Sequence, residues 1–317
     1  MSNKITLIND DCIKAMNELI GSGQKVDLIL TDPPYGTIKG LNLDGYKNRD
    51  ISWDERLPIK EMFSCCEKLL RKNGIIILFS QEPYTSYLRQ YKFRNISFIY
   101  PYIWLKDHFA NPFMSKKAPV SYFEDVSVFR KNYDMELVNP LRSYAQQVLS
   151  YIKNETGLNR KEIEDCVEGN LNHFFSNSGR FHICTEETYD KLIYIFHIDN
   201  YKLFKPYEDM KKIHKTFLKN NEKIFNLETN TTHKSNVLKY KKSYNHYHPT
   251  EKPVDLLKDL ILTYTNKGDT VLDFTMGSGS TGVACLQTNR NFIGIELEEK
   301  YYNIAKKRCS NYQSKLW

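Results

Sequence analysis

Two short stretches carry residue types that could do chemistry. The first is Asp32-Pro33-Pro34-Tyr35, inside KVDLILTDPPYGT over residues 25–37. Proline fixes φ, has no N–H and pushes the residue before it towards an extended conformation, so this loop is stiff. The proline carbonyls accept hydrogen bonds, the Asp32 carboxylate adds a charged acceptor, and Tyr35 supplies an aromatic face. Such a corner suits a flat ring bearing an amino group, although Asp before Pro also starts ordinary turns. The second stretch is DFTMGSGST, residues 273–281. Gly277 and Gly279 let the chain turn sharply and let a ligand approach the backbone, and the helix that follows presents free N–H groups. A second strand ends in the acid Glu296, where a ribose-binding carboxylate belongs, so the pair reads as a nucleoside cofactor site.

Both stretches need strands to aim them. Residues 1–135 read as alternating β and α units: a strand over 5–8, a helix over DDCIKAMNEL, the strand VDLILT, a helix over 54–72, the strand GIIILFS, the helix PYTSYLRQY and two further strands, ISFIYPYIWL and EDVSVFR. Residues 245–317 return to the same rhythm, with a helix from near Pro253, the strand TVLDF, the glycine turn, a helix, the strand NFIGIEL and a final helix. Neither half has enough strands for a stable sheet of its own, so one α/β sheet, mostly parallel, is split by an insert over 136–244. In that insert LRSYAQQVLSYIKNETG and LNRKEIEDCVEGN form a helix pair that could begin a helix-turn-helix, and residues 205–242 are dense in Lys with Tyr, Phe and His interleaved. The Lys-rich stretch reads either as a solvated face or as phosphate contact.

Composition narrows the classes. The chain has 317 residues, a net charge of +7, 22 Tyr and 17 Phe, which favours an acidic partner and offers flat surfaces for stacking. Seven scattered cysteines without CxxC spacing suggest neither a disulfide framework nor a zinc site, and fit the cytoplasm. Cys65 and Cys66 suit burial in a helix, and the His246/His248 pair suits a structural or ligand-orienting role rather than a metal. No stretch approaches the ~20 apolar residues of a membrane span, and the start shows no signal-peptide core.

Together these residues resemble the amino-methyltransferases of DNA, in the permuted β arrangement that places the catalytic motif before the cofactor motif. TDPPYG looks like the family's catalytic loop, VLDFTMGSGSTGVA its S-adenosyl-L-methionine loop, IGIELE its ribose-binding strand end, and HPTEKP the motif preceding the cofactor strand. With Trp53-Asp54 and WLKDHFANPF, the likeness covers residues 4–130 and 246–310, and the middle hundred match only loosely. The resemblance implies a Rossmann-like methyltransferase fold with a mixed, mostly parallel sheet and a mainly helical target-recognition insert. It implies catalysis by Asp32, Pro33, Pro34 and Tyr35. It also implies cofactor contacts from Asp11 at the adenine, Thr250 and Lys252 near the carboxylate end, Asp273 at the methionine amino group, Phe274, Gly277, Gly279, Ser280 and Thr281 in the turn, and Glu296 at the ribose. Met276 stands where the family often has another residue. Asp273 could otherwise cap its turn and Glu296 could be a surface acid.

The implied reaction is methyl transfer to adenine N6 in double-stranded DNA, on a base flipped out of the duplex, without a metal. An acid in the first loop position is typical of adenine enzymes, whereas cytosine N4 relatives more often carry Ser. The alternatives are a cytosine N4 enzyme, a protein or small-molecule methyltransferase and a non-catalytic DNA-binding module. Arg142, Gln146, Asn159, Arg160 and Lys161, polar positions on the predicted helix pair, are candidates for base reading. A homodimer, a cognate restriction endonuclease and a bacterial or phage-encoded cytoplasmic protein complete what the likeness implies.

Overall fold

The computed structural model describes residues 3–36, 55–110, 116, 119–132, 139–178, 180–219, 222–229, 231–242, 247–248 and 250–313. Trp53-Asp54, residues 111–113 of WLKDHFANPF, and His246 lie outside the described residues. In chain order the elements are β1 (Ile5–Asn9), α1 (Cys12–Gly21), β2 (Val26–Thr31), α2 (Ile59–Leu69), β3 (Leu70–Ser80), α3 (Tyr84–Gln90), β4 (Ile96–Ala110) and β5 (Ser121–Lys131). Then come α4 (Leu141–Thr156), α5 (Arg160–Val167), α6 (Glu186–Phe196) and α7 (Tyr207–Lys219). The order closes with β6 (Val237–Lys239), α8 (Val254–Tyr264), β7 (Thr270–Asp273), α9 (Ser280–Thr288), β8 (Asn291–Glu296) and α10 (Glu299–Gln313).

One eight-stranded sheet runs β1-β8-β7-β2-β3-β5-β4-β6. The strands from β1 to β3 are parallel, β5 is antiparallel to both β3 and β4, and β6 lies parallel to β4. Fold class is therefore as the sequence implied: an α/β protein with a mixed, mostly parallel sheet. Alternation from Leu28 to Leu30 gives β2 its two-sided burial, and a register shift between Val26 and Leu28 puts Val26 on the face of Ile29. Val26 and Ile29 join Met16 of α1 and Met62 and Phe63 of α2, while Leu28 and Leu30 join Leu260 of α8, Ala284 of α9 and Ala305 of α10. Each such side chain contributes roughly 1.5–3 kcal/mol by leaving water, so the middle strands are the most firmly fixed part of the sheet.

The helix expected over 54–72 ends at Leu69. Leu70 turns extended to pair with Val26, and the Lys131 ammonium donates to the Glu67 and Leu70 carbonyls at 2.7 and 2.8 Å. Tertiary pairing has overridden helix propensity there. Cys65 and Cys66 are buried inside α2, and burial pushes the Cys66 thiol well up.

The chain divides into two compact units, residues 1–133 with 223–317, and residues 134–222. The insert thus ends near 222 rather than 244. The polar, Lys-rich composition of residues 223–244 reads as insert, but β6 extends the sheet and Asn226 is tied to α8: its N–H donates to Thr263 O at 2.8 Å. Lys234 likewise pairs with Asp259 at 2.5 Å, both largely buried.

The second unit has its own core, with Leu141, Val148 and Ile152 of α4 packed among Ile163, Phe174, Tyr189 and Leu192. Gly157 ends α4 in the left-handed conformation at φ +73°, and Asn159 starts α5 with a reciprocal capping box to Glu162.

Candidate active site at the ends of the central strands

The sheet order reverses between β7 and β2: from β7 the chain moves outward to β8, and from β2 it moves the other way to β3. In an open α/β sheet the crevice beyond the carboxyl ends at such a point is where ligands bind. Both motifs lie there. The Asp32 loop leaves β2 and the glycine turn leaves β7, and hydroxyl groups join them. Thr31 Oγ1 donates to Asp273 Oδ1 at 2.8 Å and lies 2.6 Å from Thr275 Oγ1, which reaches the Asp32 carbonyl at 3.1 Å. Thr281 Oγ1 donates to Asp273 Oδ2 at 2.6 Å, and the Thr275 N–H donates to Oδ1 at 3.2 Å. Asp273 is thus the hub between the loops. Burial pushes its carboxyl up to about 6 even against these donors.

The glycine turn is shaped as the sequence suggests. Gly277 has φ +51° and donates its N–H to Glu296 Oε2 at 2.9 Å, and Glu298 N–H donates to Oε1 at 2.9 Å. Glu296 is therefore aimed by backbone donors, at the end of β8 and beside the turn, with burial raising its carboxyl. Gly279 has φ +83°, and a Cβ there would stand 2.8 Å from the Ala305 Cβ. Asp11, exposed just beyond β1, caps α1 by accepting from Lys14 N at 2.9 Å.

Several expected contacts fall elsewhere. Phe274 is 1% exposed and belongs to the core shared with α1 and α2, not to the crevice surface, because the strand's alternation turns it inward. Thr250 turns its hydroxyl to His248 Nδ1 at 3.1 Å. Ser280 donates to Glu251 Oε1 at 3.0 Å, an oxygen that Arg308 also reaches at 2.9 Å. Lys252, expected beside a cofactor carboxylate, instead places its ammonium on Asp32 Oδ2 and 3.0 Å from Glu124 Oε1. In the second unit, Asn159 is occupied as a helix cap. Arg160 turns inward to Glu164 at 2.8 Å and to the Phe175 and Asn172 carbonyls, and Gln146 donates to Phe175 O at 2.9 Å. Arg142 is half-buried and Lys161 exposed.

Around Asp32 lies a compact charge cluster. Tyr35 OH donates towards Asp32 Oδ1 and lies 2.9 Å from Glu124 Oε1, and Lys106 holds Glu124 Oε2 at 2.7 Å. Burial pushes the Asp32 carboxyl above the usual carboxylate range; Lys252 opposes this and Glu124 adds to it. Burial also disfavours the Glu124 carboxylate, but the Lys252 and Lys106 ammoniums outweigh it and hold that carboxyl down to about 2. Glu124 and Lys106 sit on β5 and β4, Thr31 ends β2, and Thr275 follows Phe274. None was legible as a site residue, although the acid in EDVSVFR, at the mouth of an otherwise apolar strand, is a signal that could have been followed.

The crevice suits a nucleoside ligand that carries positive charge. It presents the Asp273 and Glu296 carboxylates, and Glu251 Oε2 is buried without a partner among the described residues. Among those residues no group of three or more His, Cys, Asp or Glu is placed to hold a metal ion, and no helix is long and apolar enough to cross a membrane.

The architecture is an open α/β sheet with both loops at its switch point, and comparison with known proteins says more. The family described as DNA methylase (N6_N4_Mtase) matches residues 26–307, taking in both loops. This chain belongs to that family, which depends on S-adenosylmethionine. The chain is similar to the crystal structure of the M1.HpyAVI-SAM complex, with a TM-score of 0.54, 20% identity, and 96% and 99% of the two chains covered. It is 24% identical over 313 residues to the DNA adenine methyltransferase YhdJ of Escherichia coli K12, covering 96% of this chain and 82% of YhdJ. A shorter match, 49% identical over 77 residues, joins it to the putative methylase YubD of the same organism. That stretch is 24% of this chain and spans only 34% of YubD's length.

Proposed function

We propose that this protein transfers a methyl group from S-adenosylmethionine to adenine N6 in double-stranded DNA. The observation that carries the reading is the joining of the Asp32 corner to the glycine turn through Thr31, Thr275 and Asp273, which supports an amino-group acceptor working beside the cofactor's turn. An exocyclic amino group is a poor nucleophile because its lone pair is delocalised into the ring. Accepting its two hydrogens at the Asp32 carboxylate and the Pro33 carbonyl favours the pyramidal form and aims the lone pair. S-adenosylmethionine, when bound, would supply an electrophilic methyl to that lone pair, the electron pair of its S–C bond staying on sulfur as the N–C bond forms. The ammonium so formed is acidic enough to lose its proton after transfer, so Asp32 need not be a strong base. Tyr35 stacks on the base, which must leave the duplex to reach the crevice.

Asp273 and Glu296 are the residues that hold the cofactor, at its amino group and ribose, with Gly277 and Gly279 allowing close approach. The acid at Asp32 favours adenine, as does the name of YhdJ, and the order of the two loops fits the permuted β group of DPPY type. A cytosine N4 enzyme is the second reading, because two acceptors could hold either amino group. The helical unit, residues 134–222, is the target-recognition region in this reading. A homodimer and a cognate endonuclease are partners it allows. The test is to incubate duplex DNA with methyl-labelled S-adenosylmethionine and digest it to nucleosides. N6-methyladenine is expected, N4-methylcytosine decides for the second reading, and transfer to protein without DNA removes both.

A further inference from the structure

Glu124 reaches the catalytic corner from β5, an element neither motif includes. The Tyr35 hydroxyl has one proton but two carboxylate oxygens in reach, Asp32 Oδ1 and Glu124 Oε1 at 2.9 Å. The Lys252 ammonium is shared in the same way between Asp32 Oδ2 and Glu124 Oε1 at 3.0 Å. Both oxygens of Asp32 are therefore occupied by donors whose second acceptor is one and the same oxygen of Glu124. In that state Asp32 is a poor receiver for an amino group. Its charge is neutralised by the ammonium, and the same ammonium would repel an amine that gains positive charge during transfer.

We propose that Glu124 is a positioning residue that takes over Lys252 and Tyr35 from Asp32 when the target base enters, so that the acid is unmasked only with substrate in place. This rests on the methyl-transfer reading above. Lys106 prepares the receiver: it pins Glu124 Oε2 at 2.7 Å, leaves Oε1 aimed at the corner, and is itself steadied over the Trp104 ring at 4.9 Å. Lys252 has a matching rest over the Phe79 ring at 5.1 Å, so a small shift between two carboxylates keeps it paired throughout. The two ammoniums keep Glu124 ionised across the neutral range, which a receiver of two donors requires.

Glu124→Gln keeps the shape of the side chain and removes its charge. Its single-turnover methylation of a duplex containing the target site is expected to fall about 10–100-fold, with cofactor and duplex dissociation constants within about threefold of wild type. Lys252→Met alone slows transfer, because it leaves two carboxylates facing each other. Added to Glu124→Gln, the same change removes the ammonium stranded on Asp32 and is expected to recover about tenfold. A purely structural Glu124 gives no such reversal of sign. Glu124→Gln at wild-type rate, or a double variant slower than Glu124→Gln, overturns the hand-over. Should these variants fail to fold, a crystal structure of the wild-type protein with duplex and S-adenosylhomocysteine decides it: Lys252 is expected on Glu124 and off Asp32, and Lys252 still on Asp32 beside a flipped base overturns the proposal. Wild type that methylates no duplex overturns the function reading and the hand-over with it, whereas active wild type matched by Glu124→Gln overturns the hand-over alone.

Discussion

The loops beyond β2 and β7 and the helices of residues 134–222 use polar residues in opposite ways. In the helical unit, Asn159, Arg160 and Gln146 serve their own fold by capping a helix and satisfying nearby carbonyls. At the strand ends, Asp32, Glu124, Lys252, Asp273 and Glu296 are gathered where no packing demand explains them, and burial leaves Asp32, Asp273 and Glu296 with raised carboxyls. Concentrating buried charge is costly, so natural chains keep it where chemistry requires it. The contrast teaches that exposure on a helix is a weak guide to function, whereas convergence of costly groups from distant parts of the chain is a strong one.

That contrast can be broken by measurement. Replacing Asp32 with Ala is expected to lower methyl transfer by at least about 10³-fold while leaving cofactor affinity within about threefold. Retained transfer in a single-turnover assay removes Asp32 from the chemistry. For Asp273, whose carboxyl sits at about 6, the protonated form prevails below that pH and cannot attract a cationic amino group. Cofactor affinity should therefore rise roughly tenfold from pH 5 to 7.5 and level off, and Asp273→Asn should be weak and flat. Calorimetric titration across that range checks both, and a wild-type profile without a slope counts against the assignment.

Two smaller effects sharpen the other side. Gly279→Ala combines a left-handed φ with a Cβ 2.8 Å from that of Ala305, so it should cost about 2–4 kcal/mol in denaturant unfolding. Asn159→Ala removes a cap at about 1 kcal/mol and should leave the salt dependence of DNA binding untouched; a changed slope there would restore Asn159 to a role at the DNA. Smallest of all, neutralising exposed Lys211, Lys212 or Lys215 on α7 should lower the salt slope by about one for each phosphate that is no longer neutralised. Equal slopes before and after make that face merely solvated.

Much of the fold was legible because the apolar period is strong. The VDLILT, GIIILFS and NFIGIEL strands could hardly be anything else, and Pro33, Pro34, Gly277 and Gly279 marked where two of the loops had to lie. The meeting of those loops follows from the strand order, which sets β7 beside β2. What could not be read were facts of pairing across long sequence separations. Motif position alone matches Lys252 to a cofactor, but its neighbour in space is an acid 220 residues away. Glu124 and Lys106 gain meaning only when β5 pairs with β3 and β4 with β5. The tail from 223 to 244 resembles linker, since a three-residue strand such as β6 carries almost no periodic signal.

The edge strand β1 finds its partner only in β8, made almost three hundred residues later, and β2 is separated from β1 by both β8 and β7. During synthesis, then, the acid corner exists long before the floor it works against. Until β7 and β8 are made, β1 and β2 lack the strands that lie between them, so the acid corner and the glycine turn come together only with the closing of the sheet.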